Sequence, residues 1–377
     1  MRVAQVVTRL DFGGVSDIYR ILCEGIKDEY DVTLVIGRCR DLTPATRRFL
    51  VSFRKNIIWV PVLRREINPF FDIPAFIWLW VVFLFRRFDI VHTHTAKAGI
   101  LGRLAAKAAG VKRIVHMPHG HNFYGYFNRG MSSLIIMAEK FAAAATDKLI
   151  ALTELEKNDY ACRGVISKDR ITVVPSGQEL DEFVVLKTLD KDYKLRSLGL
   201  DKTKKIVSFV GRLASVKGPD LFIKIAERML AEREDVIFLL VGDGPLREIL
   251  EQTVIVKDLR LGVRLLGWCN DAMEIICVSD AVCAPSRNEA VGRTLIEAQL
   301  LGVPVAASRV GGIPEIVEEG ETGDLFCLED IEDAVRKLNR LLNNEQYRKK
   351  IIEQAKKHAL ETFSAEVMIK KIKATYE

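Results

Sequence analysis

The sequence predicts an α/β protein built of two doubly wound domains, and three observations lead there. The chain has 377 residues, too many for one ordinary core and suited to two domains of about 150 to 200 residues each. Short apolar runs bounded by turn residues alternate with helix-like stretches, the pattern of parallel strands joined by helical crossovers. A polar stretch interrupts the alternation once, after which it starts again.

The first set of apolar runs falls at 3–7, 32–36, 57–60, 90–92, 113–115, 149–152 and 171–174. After Pro175 the chain turns polar through Asp190, Lys191, Asp192 and Lys194, a stretch that reads as a linker. The second set follows at 206–210, 237–241, 263–266, 281–284 and 303–307. The boundary therefore lies near 180–200, giving a first domain of 1–185, a second of 186–363, and a last helix over about 364–377 expected to pack back on the first. No short repeat or low-complexity segment occurs, which excludes solenoids. Two domains leave a cleft between them, and doubly wound sheets bind ligands beyond the carboxyl ends of their strands, where helix N-termini hold phosphate.

Composition is that of a folded globular chain, with 49% hydrophobic and 28% charged residues. Lys and Arg total 56 against 50 Asp and Glu, a net charge of +6 that is too mild to imply a nucleic-acid partner. Seven cysteines are scattered without a C-x-x-C pair, which argues against a disulfide framework or zinc ribbon and for a reducing cytoplasm. Residues 1–8 enter a β-like run without the apolar core of a signal peptide, so export is not expected. One segment, 73–85 (IPAFIWLWVVFLF), is membrane-like but short, since spanning takes about 20 apolar residues. Arg64 and Arg65 precede it, Arg86 and Arg87 follow it, and Arg47, Arg48, Arg54 and Lys55 lie upstream. Two readings stay open: an interfacial helix over 64–87 lying on anionic lipid at the inner face of the cell membrane, or a helix buried against a sheet with arginines at its ends.

Four loops carry candidate chemistry. Gly13 and Gly14 open a helix after the first strand, where a glycine pair lets the backbone approach phosphate. The second domain opens with Gly211, Arg212 and Leu213, then Lys217 and Gly218; two cations after one strand suit an anion such as a diphosphate. Gly242, Asp243, Gly244 and Pro245 follow the next strand. The stretch from Ser286 to Ala298 holds Glu289 in a strand-to-helix turn and Glu297 about two turns into the helix, facing back toward the loop. One carboxylate can reach sugar hydroxyls and the other ribose hydroxyls, because polyols supply the donors that a buried carboxylate requires.

With these motifs in order, together with His92–x–His94, His116-Met117-Pro118-His119-Gly120 and Gly311-Gly312-Ile313-Pro314-Glu315, the chain resembles glycosyltransferase family 4 over nearly its whole length. The resemblance implies a GT-B fold of two Rossmann-like domains facing each other across a cleft. It implies a hexosyltransferase that moves a sugar from a UDP- or GDP-sugar to a glycan or lipid-linked acceptor, retaining configuration at the anomeric carbon, in cell-surface polysaccharide or glycolipid synthesis. Arg212 and Lys217 would neutralise the donor diphosphate, Glu289 hold the transferred sugar, and Glu297 hold the ribose. Gly13 and Gly14 would offer amides to the diphosphate, His119 would lie beside the donor sugar, and Gly211, Gly244, Ala290, Val291 and Gly292 would line the donor. His92, His94 and His121 are less favoured.

Two positions depart from the family pattern. Ala290 stands where glycine is common, and Pro175-Ser176-Gly177-Gln178-Glu179 replaces a Pro-Asn-Gly-x-Asp turn. No cofactor and no metal are expected: the histidines lack the cysteine or carboxylate partners that tetrahedral sites recruit, and the one Asp-x-Asp, Asp190–Asp192, falls in the linker. Positive side chains would instead stabilise the leaving diphosphate. Two alternatives share the architecture, a nucleotide-sugar epimerase and a catalytically silent membrane-associated partner. A dinucleotide dehydrogenase fits poorly, because no G-x-G-x-x-G follows a first strand.

Overall fold

A computed structural model describes the chain except Phe12, Asp41, His121, Asn122, residues 124–128, Lys187 and the side chains of Arg129 and Glu182. It contains two compact units, Met1–Gln178 with Ser364–Glu377 and Glu179–Phe363.

Unit 1 runs β1 (Arg2–Val7), α1 (Gly14–Ile26), β2 (Asp31–Ile36), α2 (Pro44–Ser52), β3 (Ile57–Trp59), α3 (Pro69–Arg86), β4 (Ile90–His94), α4 (Ala96–Ala108), β5 (Arg113–Met117), α5 (Arg129–Ala143), β6 (Lys148–Ala151), α6 (Glu154–Cys162) and β7 (Ile171–Val173). Its seven strands form one parallel sheet in the order β3-β2-β1-β4-β5-β6-β7. The inner strands are covered on both faces, so their apolar residues run together without alternation, whereas the edge strand β3 leaves Trp59 exposed. β1 carries a fully buried Gln5 among Val3, Ala4, Val6 and Val7, and β4 and β5 bury His92, Thr93, His94 and His116.

Unit 2 runs α7 (Leu180–Leu186), α8 (Lys191–Ser197), β8 (Lys205–Val210), α9 (Pro219–Leu230), β9 (Val236–Val241), α10 (Arg247–Val256), β10 (Val263–Gly267), α11 (Ala272–Val278), β11 (Ala281–Ala284), α12 (Arg293–Leu301), β12 (Val305–Ser308), β13 (Asp324–Phe326), α13 (Ile331–Asn343) and α14 (Glu345–Thr362). Its parallel sheet has the order β10-β9-β8-β11-β12-β13. Phe209, Phe222 and Phe238 anchor the core, with ring centroids 5.7 and 5.6 Å apart in sequence. The remaining helix, α15 (Ala365–Tyr376), returns to unit 1 and packs against α1.

The polar stretch read as a linker is helix α8. Asp190 caps it by accepting from the Tyr193 amide, and Lys194 pairs with Asp271 and with Glu274, the latter at 2.8 Å, tying α8 to the start of α11. The apolar segment is also longer than its apolar core suggests. Asn68 caps α3 by accepting from the Phe70 amide, Pro69 fills the first turn, and Arg87 ends it in the left-handed region at φ 51°. With 18 residues α3 meets the lower limit of length and composition for crossing a membrane. Only its Ala75, Leu79 and Phe83 stripe is buried, which corrects the fully buried alternative: Phe70 is 88% and Phe85 78% exposed, with Ile73, Ile77 and Leu84 also outward.

Candidate active site

Both sheets reverse winding direction at one place, between β1 and β4 in unit 1 and between β8 and β11 in unit 2. At such a reversal two loops leave neighbouring strands in opposite directions and open a crevice beyond the strand ends. Gly13, Gly14, Arg212, Lys217 and Glu289 sit on these loops, while Gly244 and His119 follow the neighbouring strands β9 and β5.

In unit 2 the loops are stitched by their own backbone. Gly211 donates to Val241 O at 2.9 Å and Leu213 to Asp243 O at 3.0 Å, joining the loops after β8 and β9. The Arg287 amide donates to Val216 O at 2.8 Å, joining the loops after β8 and β11. The Arg287 side chain reinforces that join with a two-pronged pair to Asp220 at 2.8 and 2.6 Å and a bond to Ser215 O at 2.9 Å. The guanidinium holds the Asp220 carboxyl below its usual range by hydrogen bonding to its charged form.

On this frame Lys217 pairs with Glu289, both half-buried. Arg212 is exposed and has no side-chain partner among the described residues. Glu289 is fixed from behind: its carbonyl accepts from Gly312 at 2.9 Å, and a Cβ on Gly311, at φ 53°, would lie 2.1 Å from the same carbonyl oxygen. The Gly311-Gly312 pair therefore serves the loop that carries Glu289, by allowing close approach of two backbones. Gly292 begins α12 with no side-chain cap, Ala290 is exposed and Val291 is buried beneath the turn. Glu297 stands one turn into α12, not two, because the helix starts only at Arg293; it faces Arg293 at 3.8 Å. Gly244 donates to Asp243 Oδ1 at 2.7 Å and backs onto Leu213, so it shapes the frame.

In unit 1, Gly13 precedes α1 at φ 141° with nothing within 4 Å of where a Cβ would stand, and Gly14 is the first helical residue. Thr8 at the end of β1 and Thr95 after β4 bond through their hydroxyls at 2.9 Å, closing the two sides of the reversal. His119 lies beyond β5 in the left-handed region at φ 62°, uncommon for a residue with a side chain. Its Nε2 is 2.9 Å from His94 Nδ1, and His94 Nε2 is 2.8 Å from Gln5 Oε1. His116 bonds to the Thr93 hydroxyl at 2.9 Å. Burial lowers the pKa of His92 to about 3 and holds those of His94 and His116 well below 6.5, so these rings are neutral at pH 7.

The structure thus places Arg212, Lys217 and Glu289 on adjoining loops of unit 2 with Glu297 one turn into α12, and His119 and Gly13–Gly14 beyond strand ends of unit 1. His121 lies outside the described residues. Among the described residues no three His, Cys, Asp or Glu side chains are arranged to hold a metal ion. Sequence reasoning missed Arg287 and Asp220, whose pairing across 67 positions leaves no local trace, and Gln5, whose signal was a lone amide in an apolar strand.

Two family models match in tandem: the one described as Glycosyltransferase Family 4 over residues 12–182, and the one described as Glycosyl transferases group 1 over 190–358. The chain is 32% identical to an Escherichia coli UDP-Gal:alpha-D-GlcNAc-diphosphoundecaprenol alpha-1,3-galactosyltransferase, across 84% of this chain and 81% of that protein. It is 28% identical to a D-inositol 3-phosphate glycosyltransferase of Corynebacterium urealyticum, over 72% and 67% of the two chains. In three dimensions it is similar to Anabaena Alr3699/HepE, solved with UDP and glucose, at a TM-score of 0.82 and 19% identity over 100% and 99% of the chains. WaaG, a glycosyltransferase involved in lipopolysaccharide biosynthesis, superposes at a TM-score of 0.75 and 18% identity over 99% and 98%. Tandem domain matches, a relative aligned along most of both chains and two sheets of the same winding agree: this chain is a glycosyltransferase and belongs to family 4.

Proposed function

We propose that this glycosyltransferase takes its sugar from a uridine diphosphate sugar and transfers it, with retention at the anomeric carbon, to a saccharide carried on a lipid diphosphate in cell-surface glycan synthesis. The observation that carries the reading is the unit 2 loop set, in which Arg212, Lys217 beside Glu289, and the uncapped start of α12 offer cations and amides next to carboxylates. A diphosphate attached to two polyols has the complementary chemistry. The name of the Escherichia coli relative supports uridine, galactose and a lipid-linked acceptor.

In this reading Arg212 and Lys217 take up charge on the departing diphosphate, Glu289 binds sugar hydroxyls and Glu297 ribose hydroxyls, and Gly211, Gly244 and the turn at Ala290, Val291 and Gly292 line the donor. From unit 1, Gly13 and Gly14 contribute backbone amides and His119 a contact to the donor sugar. The acceptor oxygen bonds to the anomeric carbon as the bond to the phosphate oxygen breaks, and that phosphate oxygen takes the acceptor proton. No protein nucleophile and no metal are required. The outward apolar face of α3, with Arg64, Arg65, Arg86 and Arg87 at its ends, would rest on anionic lipid at the cytoplasmic side of the membrane.

The test supplies the purified protein with UDP-galactose, UDP-glucose, UDP-N-acetylglucosamine or GDP-mannose and a synthetic lipid-diphosphate N-acetylglucosamine, in the presence of EDTA. One UDP-sugar should give an α-linked product, read by NMR. A β-linked product removes retention, activity only on free glycans removes the lipid acceptor, and interconversion of the donor without acceptor selects the epimerase. Co-sedimentation with phosphatidylglycerol vesicles at low salt, and not with phosphatidylcholine alone, checks the membrane contact.

A further inference from the structure

At the β3 edge of unit 1 the loops beyond the strand ends gather arginines that the donor chemistry does not use. Arg38 and Arg40 follow β2, and Arg64 and Arg65 follow β3. Backbone contacts pack these loops on one another. The Arg38 amide donates to Leu63 O at 3.2 Å, and a Cβ on Gly37 would lie 2.2 Å from Thr8 O and 2.3 Å from Leu63 O. Asp11 accepts from the Arg40 amide at 2.6 Å and pairs with Arg9 at 2.8 Å, while Lys97 pairs with Asp72 and donates to Glu66 O. The Glu66 carboxyl lies below its usual range, held first by its own backbone amide and then by the charges of Arg40, Lys97 and Arg9, so these cations surround one point.

The carboxylates do not match this charge. Asp11 answers Arg9 and Asp72 answers Lys97, but the four edge arginines have only Glu66, 4.0 Å from Arg40. Arg38, Arg64 and Arg65 have no carboxylate partner among the described residues. Phe71 lies 3.7 Å beneath the Arg64 guanidinium and fixes its plane. Ile67 and Phe70 are exposed immediately after these arginines, where the outward apolar face of α3 begins. We infer that this edge is the acceptor subsite: Arg38 and Arg64, with Arg40 and Arg65 beside them, hold the diphosphate of a lipid-linked acceptor, and its hydrocarbon runs out over Ile67 and Phe70. Guanidinium forks match phosphate oxygens in pairs, and unpaired cations next to exposed apolar side chains complement an anion joined to a hydrocarbon chain. The inference rests on the reading of the acceptor as a saccharide on a lipid diphosphate.

The test compares two soluble acceptors on the full chain with the active UDP-sugar: octyl diphospho-N-acetylglucosamine, and octyl N-acetylglucosaminide, which lacks the diphosphate. Wild type should have the lower KM for the diphosphate. Arg38→Ala and Arg64→Gln should each raise that KM about tenfold, the scale of one hydrogen bond to a charged group, and leave the KM of the glycoside, the KM of the donor and the melting temperature unchanged. Arg54→Ala, which removes an exposed cation before β3 at the opposite end of that strand, should change none of these. Arg38 is exposed, so its variant carries the test if Arg64→Gln does not fold. Calorimetry of octyl diphosphate, with UDP present to fill the donor site, should show the same loss of affinity without turnover. A wild type with equal KM for both acceptors removes the lipid-diphosphate reading and the inference with it. A wild-type preference that both variants keep overturns the inference alone, and if the same variants bind phosphatidylglycerol vesicles less well, the edge meets bulk lipid instead. Inorganic diphosphate binding as tightly as octyl diphosphate overturns the role of Ile67 and Phe70.

Discussion

The two units wind their sheets in the same order around the first strand of each, yet the strand ends carry opposite chemistries. Beside the reversal of winding, unit 1 presents the buried, neutral imidazoles of His92, His94 and His116, and unit 2 presents charged side chains paired across loops. Winding fixes where a site can form; the residues on those few loops fix what it can hold. A row of neutral rings can orient hydroxyls but cannot balance a diphosphate, while cations on glycine-rich loops can.

The largest expected effect breaks unit 2's side of this contrast. Lys217→Ala should lower transfer by about 100- to 1,000-fold, as loss of one preorganised electrostatic contact does, with a melting temperature close to wild type. Steady-state rates beside a thermal melt decide it, and near-normal transfer would remove Lys217 from the charge balance. Gly311→Ala is next. A Cβ 2.1 Å from the Glu289 carbonyl, at φ 53°, should cost about 1 to 3 kcal/mol by denaturant titration and take donor binding with it.

Acid should separate the units. The folded pKa values of His92, His94 and His116 lie below 6.5, with His92 at about 3, so the unfolded chain binds more protons below pH 6.5. Their stabilisation is whole above pH 6.5 and is lost as pH falls through it, by up to about 1.4 kcal/mol per pH unit for each ring. Among the groups facing them, His119 faces His94, Tyr376 faces His92, and the Arg103 charge further lowers His116, while the Thr93 carbonyl offsets this only in part. Asp220 in unit 2 has its pKa lowered from 3.8, so its contribution is whole above that value and is lost only as pH falls below it. Hydrogen exchange at pH 7, 6 and 5 should show protection falling in unit 1 first; equal loss in both would contradict the assignment of neutral rings. The smallest effect belongs to Arg287→Ala, whose partly exposed pair with Asp220 should be worth about 0.2 to 1 kcal/mol in stability.

The sheets were legible because fully covered parallel strands announce themselves as apolar runs, and twelve of those runs became strands. β13 escaped because it opens on a carboxylate, Asp324, which is buried only through its bonds to Arg340 and Tyr347, and α8 was taken for a linker because its stabilising partners, Asp271 and Glu274, lie some eighty residues away. Glu289 and Lys217 were legible as types on loops, but their pairing and the backing of Glu289 by Gly312 are tertiary facts. Least legible was the buried hydrogen bond from Gln5 Nε2 to the Tyr376 hydroxyl, whose partners are 371 positions apart.

The return of α15 to unit 1 also bears on the order of events during synthesis. The 185 residues of unit 2 are made between the body of unit 1 and the helix that completes it. At about 5 to 20 residues per second, the nascent first sheet waits roughly 10 to 40 s with Gln5 and His92 lacking their phenol. For that interval the amide and imidazole must be solvated by water or shielded by a chaperone, and the groove awaiting Met368, Ile372 and Tyr376 is open to any other apolar helix in reach.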